Sequence, residues 1–321
     1  YTEVNLNANA DPTKDGARLY EVYGGGQLGK IMSAKAAAKW AAAELETNNV
    51  TIPLALEKDY TDDGLVNDLA QYKYNTNVRI NTGAEVCGYM YNGERSGAYA
   101  YGGGLGKDGV EGAGDVYGTT FIGLFGGKVT KDIYAAGTVG SVNNRYEAGA
   151  DNSATSEPFV ATANAYIEGG TCRNVYGGGW KGSVGYHVGE LSESYAGDVY
   201  GDTNVVIGKL DGTTFINGIP AIERNAYGGG EGGPVYGTAN ITLNNGFIGY
   251  RHFDAPPTTD TDLDTLQVWS GTDPDIHKEY YQEKLHDETW KGDGTNRLND
   301  SGCIFGGGYI DNSSVDIANV R

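Results

Sequence analysis

The tetrapeptide Tyr-Gly-Gly-Gly begins at Tyr23, Tyr101, Tyr176 and Tyr227, and Phe-Gly-Gly-Gly begins at Phe305. An aromatic residue followed by three glycines, used again and again, constrains the fold more than any other feature of the chain. A phosphate-cradling loop follows a strand, opens a helix and ends in Gly-Lys-Ser/Thr. YGGGQLGKIMSAKAAAKW, from Tyr23, comes nearest, but it lacks that spacing, and a phosphate site would not recur at every copy. Composition excludes a flexible linker. The chain has 52 glycines in 321 residues, yet its 24 tyrosines and abundant Val, Ile and Thr supply the core that disordered sequences lack. The glycines therefore serve backbone geometry, through positive φ or close approach of chain to chain.

A second motif accompanies the first: NVRINTG from Asn77, NAYIEGG from Asn164, NVVIGKL from Asn204 and NITLNNG from Asn240, with looser copies from Phe121 and Ser314. Its form is Asn-h-x-h-x-x-Gly with h apolar, which is a short strand burying one face. A further strand follows the glycine, as in TCRNVYGGG, KVTKDIYAAG and AEVCGYMYNG, and ends on an aromatic. A related Val-Tyr-Gly, at Val116, Val199 and Val235, leads back into the first motif. Hairpins fit this poorly, since turn signals such as Asn245-Gly246 are few. Like strands with like corners suit a stack of coils about 4.8 Å apart. The expected fold is all-β, a β-solenoid of about nine coils forming a rod of about 40–45 Å. Tyr23, Tyr101, Tyr176, Tyr227 and Phe305 then make a corner ladder of aromatic above aromatic, beside a ladder of Asn above Asn.

The alternation of VYGGG with DVYGDTNVVI and VYGTANITLNNG resembles the large β-solenoid, adhesin-like proteins displayed or secreted by gut and oral bacteria. The resemblance covers about 75–260 and 301–321, and more weakly 1–30. It implies a right-handed parallel β-helix, an extracellular or bacterial cell-surface location, and a longer parent chain. It carries no catalytic signature. The opening on Tyr1 and the absence of a signal-like stretch give the same expectation of a mature or trimmed fragment.

Two segments interrupt the repeat within the single 1–321 solenoid. Residues 30–75 hold SAKAAAKWAAAELE, a helix by propensity with Ser33 as N-cap, and read as a helical insert or cap over an open strand edge. Residues 250–300 are acidic and aromatic, with one helix from Asp273 and Pro274 to about Glu288. Trp269, Tyr280, Tyr281 and Trp290 are its candidate ligand contacts, because insertions on one face of a repeat protein carry binding. DTDLD supplies candidate calcium ligands at Asp260, Asp262 and Asp264, without the later glycine and glutamate of an EF-hand loop. GGLGKDGVE fits the calcium nonapeptide at Asp108, although no neighbouring copy shares the ion. His277 and His286 fall on opposite sides of one helix and cannot chelate a metal together. No cofactor is expected beyond such calcium.

The net charge of −19 repels nucleic acid and anionic membranes, and no apolar run is long enough to span a bilayer. Cys87, Cys172 and Cys303 cannot close a disulfide framework and read as small buried hydrophobes. The leading functional expectation is a non-catalytic extracellular scaffold or adhesin segment. Its partner is an extracellular protein or a glycan, and exposed edges allow end-to-end or side-by-side homo-assembly. Two alternatives stand beside it: a glycan-active β-helix lyase or hydrolase, and a glycan-binding module with exposed Tyr and Trp platforms. For an enzyme, Asp115 and Asp198 are the carboxylates that equivalent positions on neighbouring coils would align. The bland reading of the same Asp-Val-Tyr places the carboxylate in a corner hydrogen bond.

Overall fold

The computed structural model describes residues 2–11, 16–31, 75–91, 94–110, 112–143, 161–186, 201–208, 218–249, 302–310 and 315–321. The apolar pairs of the Asn-h-x-h motif become the inner positions of a parallel sheet. Its main strands are, in spatial order, Thr2–Leu6, Thr76–Asn81, Thr119–Val129, Ala161–Cys172, Gly201–Ile207, Val235–Leu243 and Val315–Val320. Register aligns like with like: Val78, Ile122, Ala165, Val205 and Ile241 form one line. Ile80, Leu124, Ile167 and Ile207 form the next, and the side chains of both lines are at most 1% exposed. Each large apolar side chain removed from water in these lines contributes about 1.5–3 kcal/mol.

The glycine that closes the motif turns the chain. Gly83, Gly170 and Gly246 have φ of 80°, 84° and 122°, where a side chain is strained. Beyond that turn run Glu85–Val86, the ends of the two longest strands, Pro220–Ile222 and Phe247–Ile248, paired in parallel, with Arg18–Leu19 at the edge. Next comes the aromatic corner. Val22–Tyr23, Ala100–Tyr101, Ile133–Tyr134, Val175–Tyr176, Ala226–Tyr227 and Ile304–Phe305 form a separate parallel sheet of six strands. A last line joins Ile31, Val116, Val142, Val184, Val235 and Val315 by parallel pairing. The chain visits these lines in the same order in each of six rows, then begins a seventh with the last strand.

The described residues make six full rows, against the nine coils expected of the whole chain. The rows on either side of 32–74, 144–160 and 187–200 pair directly with one another. Ile31 and Asn75 already belong to the rows, through Ile31 against Val116 and the amide of Asn75 bonded to Thr119 O at 2.8 Å. Residues 32–74 and all of 250–300, with their expected helices, lie outside the described residues. Among the described residues one antiparallel pair departs from the parallel plan, Tyr89–Tyr91 with Glu94–Ser96. Among the described residues no helix is long and apolar enough to cross a membrane.

Candidate functional site

The corner is where the sequence signal concentrates, and three ladders meet there. The rings of Tyr23, Tyr101, Tyr134, Tyr176, Tyr227 and Phe305 stack in that order, with successive centroids 5.0, 4.8, 4.9, 4.7 and 5.0 Å apart and planes within 12° of parallel. Free aromatic pairs prefer offset or edge-on contact. Here the strand spacing holds the rings parallel at centroid distances within the range of offset stacking. Tyr23 and Tyr101 stack although 32–74 intervenes, and Tyr227 and Phe305 stack although 250–301 intervenes. Tyr134 is the ring the motif missed, because its row reads Tyr-Ala-Ala-Gly. Its signal was the spacing of KVTKDIY from the preceding glycine.

The glycines after the aromatics have ordinary φ and are required for another reason. A Cβ on Gly24, Gly102, Gly177 or Gly228 would lie 2.1–2.5 Å from the carbonyl oxygen of the next row. Row three carries Ala135 and Ala136 instead, and there the corner opens. Ala136 N lies 3.4 Å from Gly178 O, against 3.0–3.1 Å for the equivalent bonds in the other rows. The carbonyl of the first corner residue is also tied across the interior. Buried Thr76, Thr120 and Thr203 donate to Gly102, Ala135 and Gly228 at 2.6 Å each, and Thr2 donates to Gly24. This brace lies one residue ahead of the Asn motif, where a short hydroxyl carried no periodic signal.

The asparagine ladder runs beside it. Asn204 donates to Asn164 at 3.0 Å, Asn240 to Asn204 at 3.3 Å, and Asn319 to Asn240 at 3.0 Å. Phe121 interrupts it, aligned between Asn77 and Asn164. Asn77 is fully buried, and neither its Nδ2 nor its Oδ1 has a hydrogen-bond partner among the described residues.

Buried carboxylates at the corner are held by the chain itself. Asp115 Oδ1 accepts from Ser141 N at 2.9 Å, and its Oδ2 accepts from Asn143 and Tyr117 at 3.3 Å. Asp132, two residues before Tyr134, is gripped by both arms of Arg173, with Nε to Oδ1 at 2.8 Å, and by Asn174 Nδ2 at 2.9 Å. Burial opposes the guanidinium charge of Arg173, but the Asp132 bond outweighs it and raises its pKa. Glu231 accepts the phenol proton of Tyr134. Burial raises the carboxyls of Asp115 and Glu231 above the usual range, against the lowering effect of their donors. Burial likewise raises the phenols of Tyr101, Tyr134 and Tyr176 above the ordinary tyrosine value.

Beside the ladder at rows three to six lies a cleft of about 170 Å³, lined by Arg173, Asn174, Arg224, Asn225, Glu231 and Tyr309 together with ladder rings. Lys131, Arg173 and Arg224 align three residues before their aromatics, and Asp132, Asn174 and Asn225 two before, in the segments KDIY, RNVY and RNAY. That alignment is readable in the sequence once the rows are known. Asn174 Oδ1 accepts from Asn225 N at 3.1 Å and Asn225 Oδ1 from Cys303 N at 3.0 Å, so the column continues as an amide ladder.

Of the other candidates, Asp108 is exposed and pairs with Lys181 at 3.1 Å. No group of three or more His, Cys, Asp and Glu gathers to hold a metal among the described residues. Asp198, Asp260, Asp262, Asp264, Trp269, Tyr280, Tyr281 and Trp290 lie outside the described residues. Cys87, Cys172 and Cys303 form no disulfide among the described residues, and Cys172 is buried. Comparison with models of known families, with curated proteins and with solved structures finds no match.

Proposed function

We propose that this chain is a non-catalytic, adhesin-like scaffold segment of a bacterial surface or secreted protein, wound as a right-handed parallel β-helix. The observation that carries the reading is the use made of the corner carboxylates. Asp115, Asp132 and Glu231 each have donors from the chain itself, so the fold spends them on its own corner. A lyase or hydrolase needs carboxylates that face a bound sugar. Six aligned rows, tied by aromatic, amide and threonine ladders, suit a stiff rod that displays the segments leaving it. The resemblance of the VYGGG and Asn-h-x-h repeats to adhesin-like solenoids points the same way, and to an extracellular glycan or protein as partner.

The test is incubation of the full chain with plant, host and microbial polysaccharides, following new reducing ends and unsaturated products. No product is expected. Time-dependent, heat-sensitive product would overturn the non-catalytic reading and favour the β-helix enzyme.

A further inference from the structure

We infer that the corner cleft beside Tyr227 binds a neutral, extended pyranose polymer lying along the stacking axis. The residue four places after each corner aromatic forms a line of its own: Trp180, Glu231 and Tyr309 in rows four, five and six. Backbone bonds fix the alignment, with Glu231 N to Gly179 O at 3.0 Å, Gly232 N to Trp180 O at 2.8 Å, Tyr309 N to Gly230 O at 3.1 Å and Ile310 N to Glu231 O at 3.0 Å. Trp180 and Tyr309 are therefore two rows apart, about 9.6 Å along the axis. That is close to the advance of two residues in an extended β-linked sugar chain.

Both rings are open to solvent in a molecule that buries most of its corner tyrosines, at 39% for Trp180 and 54% for Tyr309. Each side chain joins an apolar face to a polar tip, the property that suits it to a sugar with CH groups on one side and hydroxyls at its rim. Tyr309 stands edge-on to Tyr227 at 5.6 Å, so the ladder braces it as a fixed platform. Lys181 Nζ, paired with Asp108, lies over one face of the Trp180 ring at 4.9 Å from its centroid, so the sugar takes the other face. The cleft beside Tyr309 is lined by polar groups, among them Arg224, Asn225 and Glu231, and Trp180 stands outside it, one row beyond Glu231. Few, fixed polar groups around an aromatic face are the pattern of a site that orients a small ligand. A volume of about 170 Å³ admits one sugar ring rather than a folded partner.

Charge selects within the class. Arg173 and Arg224 are matched in the cleft by Asp132 and Glu231, and the whole chain carries −19. No positive surplus remains to hold a uronate or a sulfate, so the polymer is neutral.

The experiment is affinity electrophoresis of the full chain through gels containing xylan, mannan or mixed-linkage glucan, with polygalacturonate, heparin and gelatin gels alongside. Retardation is expected in at least one neutral gel and in none of the others. Tyr309→Ala and Trp180→Ala, both at exposed rings, should each weaken retention about tenfold, the loss typical of a key contact. Leu28→Ala, exposed elsewhere, should leave retention unchanged, and circular dichroism checks that every variant is folded. Retention by acidic polymers or gelatin alone, no retention in any neutral gel, or retention insensitive to both ring deletions overturns the site. This inference rests on the scaffold reading only in that the sugar is held without being cut. Product formation in the degradation assay would sink that reading and leave binding intact, whereas absent retention would sink the cleft alone.

Discussion

Single atoms set the spacing at the corner, and their removal or addition is measurable. The Cβ of Gly102→Ala would lie 2.3 Å from Ala135 O, a backbone atom, so the rows would have to part there. We expect a loss of about 2–3 kcal/mol, read as a lower denaturant midpoint at unchanged slope. Thr120→Val keeps the shape of the side chain but strips the Ala135 carbonyl of a buried donor. It should cost about 1–3 kcal/mol by the same measurement. Glu231 gives a pH signature. Burial holds its folded-state pKa above the unfolded value of about 4.3. Between those two values the folded chain binds the extra proton, so stability falls as pH rises through the window. Glu231→Gln keeps an oxygen to accept from Tyr134 and removes the titration. The melting temperature of this variant should decline less from pH 4 toward neutrality than that of the wild type, and an identical decline would reject Glu231 as its source.

Among elements, the ladders show how much was legible and where reading stopped. Period-two alternation around Val78/Ile80, Val205/Ile207 and Ile241 names the inner face of the main sheet, because burial demands apolar residues there. Parallel pairing was readable from like strands with like corners. The thin signals were chemical exceptions. Tyr134 was hidden by Ala135 and Ala136, which the row accommodates by lengthening one bond to 3.4 Å. Phe121 was a loose copy of the Asn motif, and in the structure it splits the amide ladder. Arg173, Arg224 and Glu231 are unremarkable in one dimension, since only stacking brings rows four and five together. Two substitutions probe these elements. Tyr134→Ala empties the middle of the stack and should cost about 3–5 kcal/mol. Tyr134→Phe should cost much less, since Phe305 already stacks without a hydroxyl, at 5.0 Å from Tyr227. Phe121→Asn loses contacts with Phe125 and Tyr166 but offers Asn77 and Asn164 an amide between them. It should therefore be far milder than Phe121→Ala when the two are compared by chemical denaturation.

For the whole molecule, the aromatic ladder crosses all six described rows and ties them into one cooperative body. Burial lifts the phenols of Tyr101, Tyr134 and Tyr176 above the ordinary tyrosine range. The unfolded chain would release those protons near pH 10, while the folded chain keeps them. Stability is thus retained below that pH and lost as pH rises beyond it. In an alkaline titration the buried tyrosines should ionise together, in step with loss of far-ultraviolet circular dichroism. Gradual ionisation with the fold intact would contradict the burial described for the stack.

The stack resumes without a break after 32–74, in the next row, and after 250–301, in the same row, which has a consequence for how such a protein can change. The ring contacts on either side, 5.0 Å in both cases, take no account of how much sequence lies between them. Closing a longer loop costs little, about 0.6 kcal/mol for each doubling of its length. These two junctions are therefore splice points, where cassettes of new sequence can be exchanged or lengthened while the register of the stack is inherited unchanged.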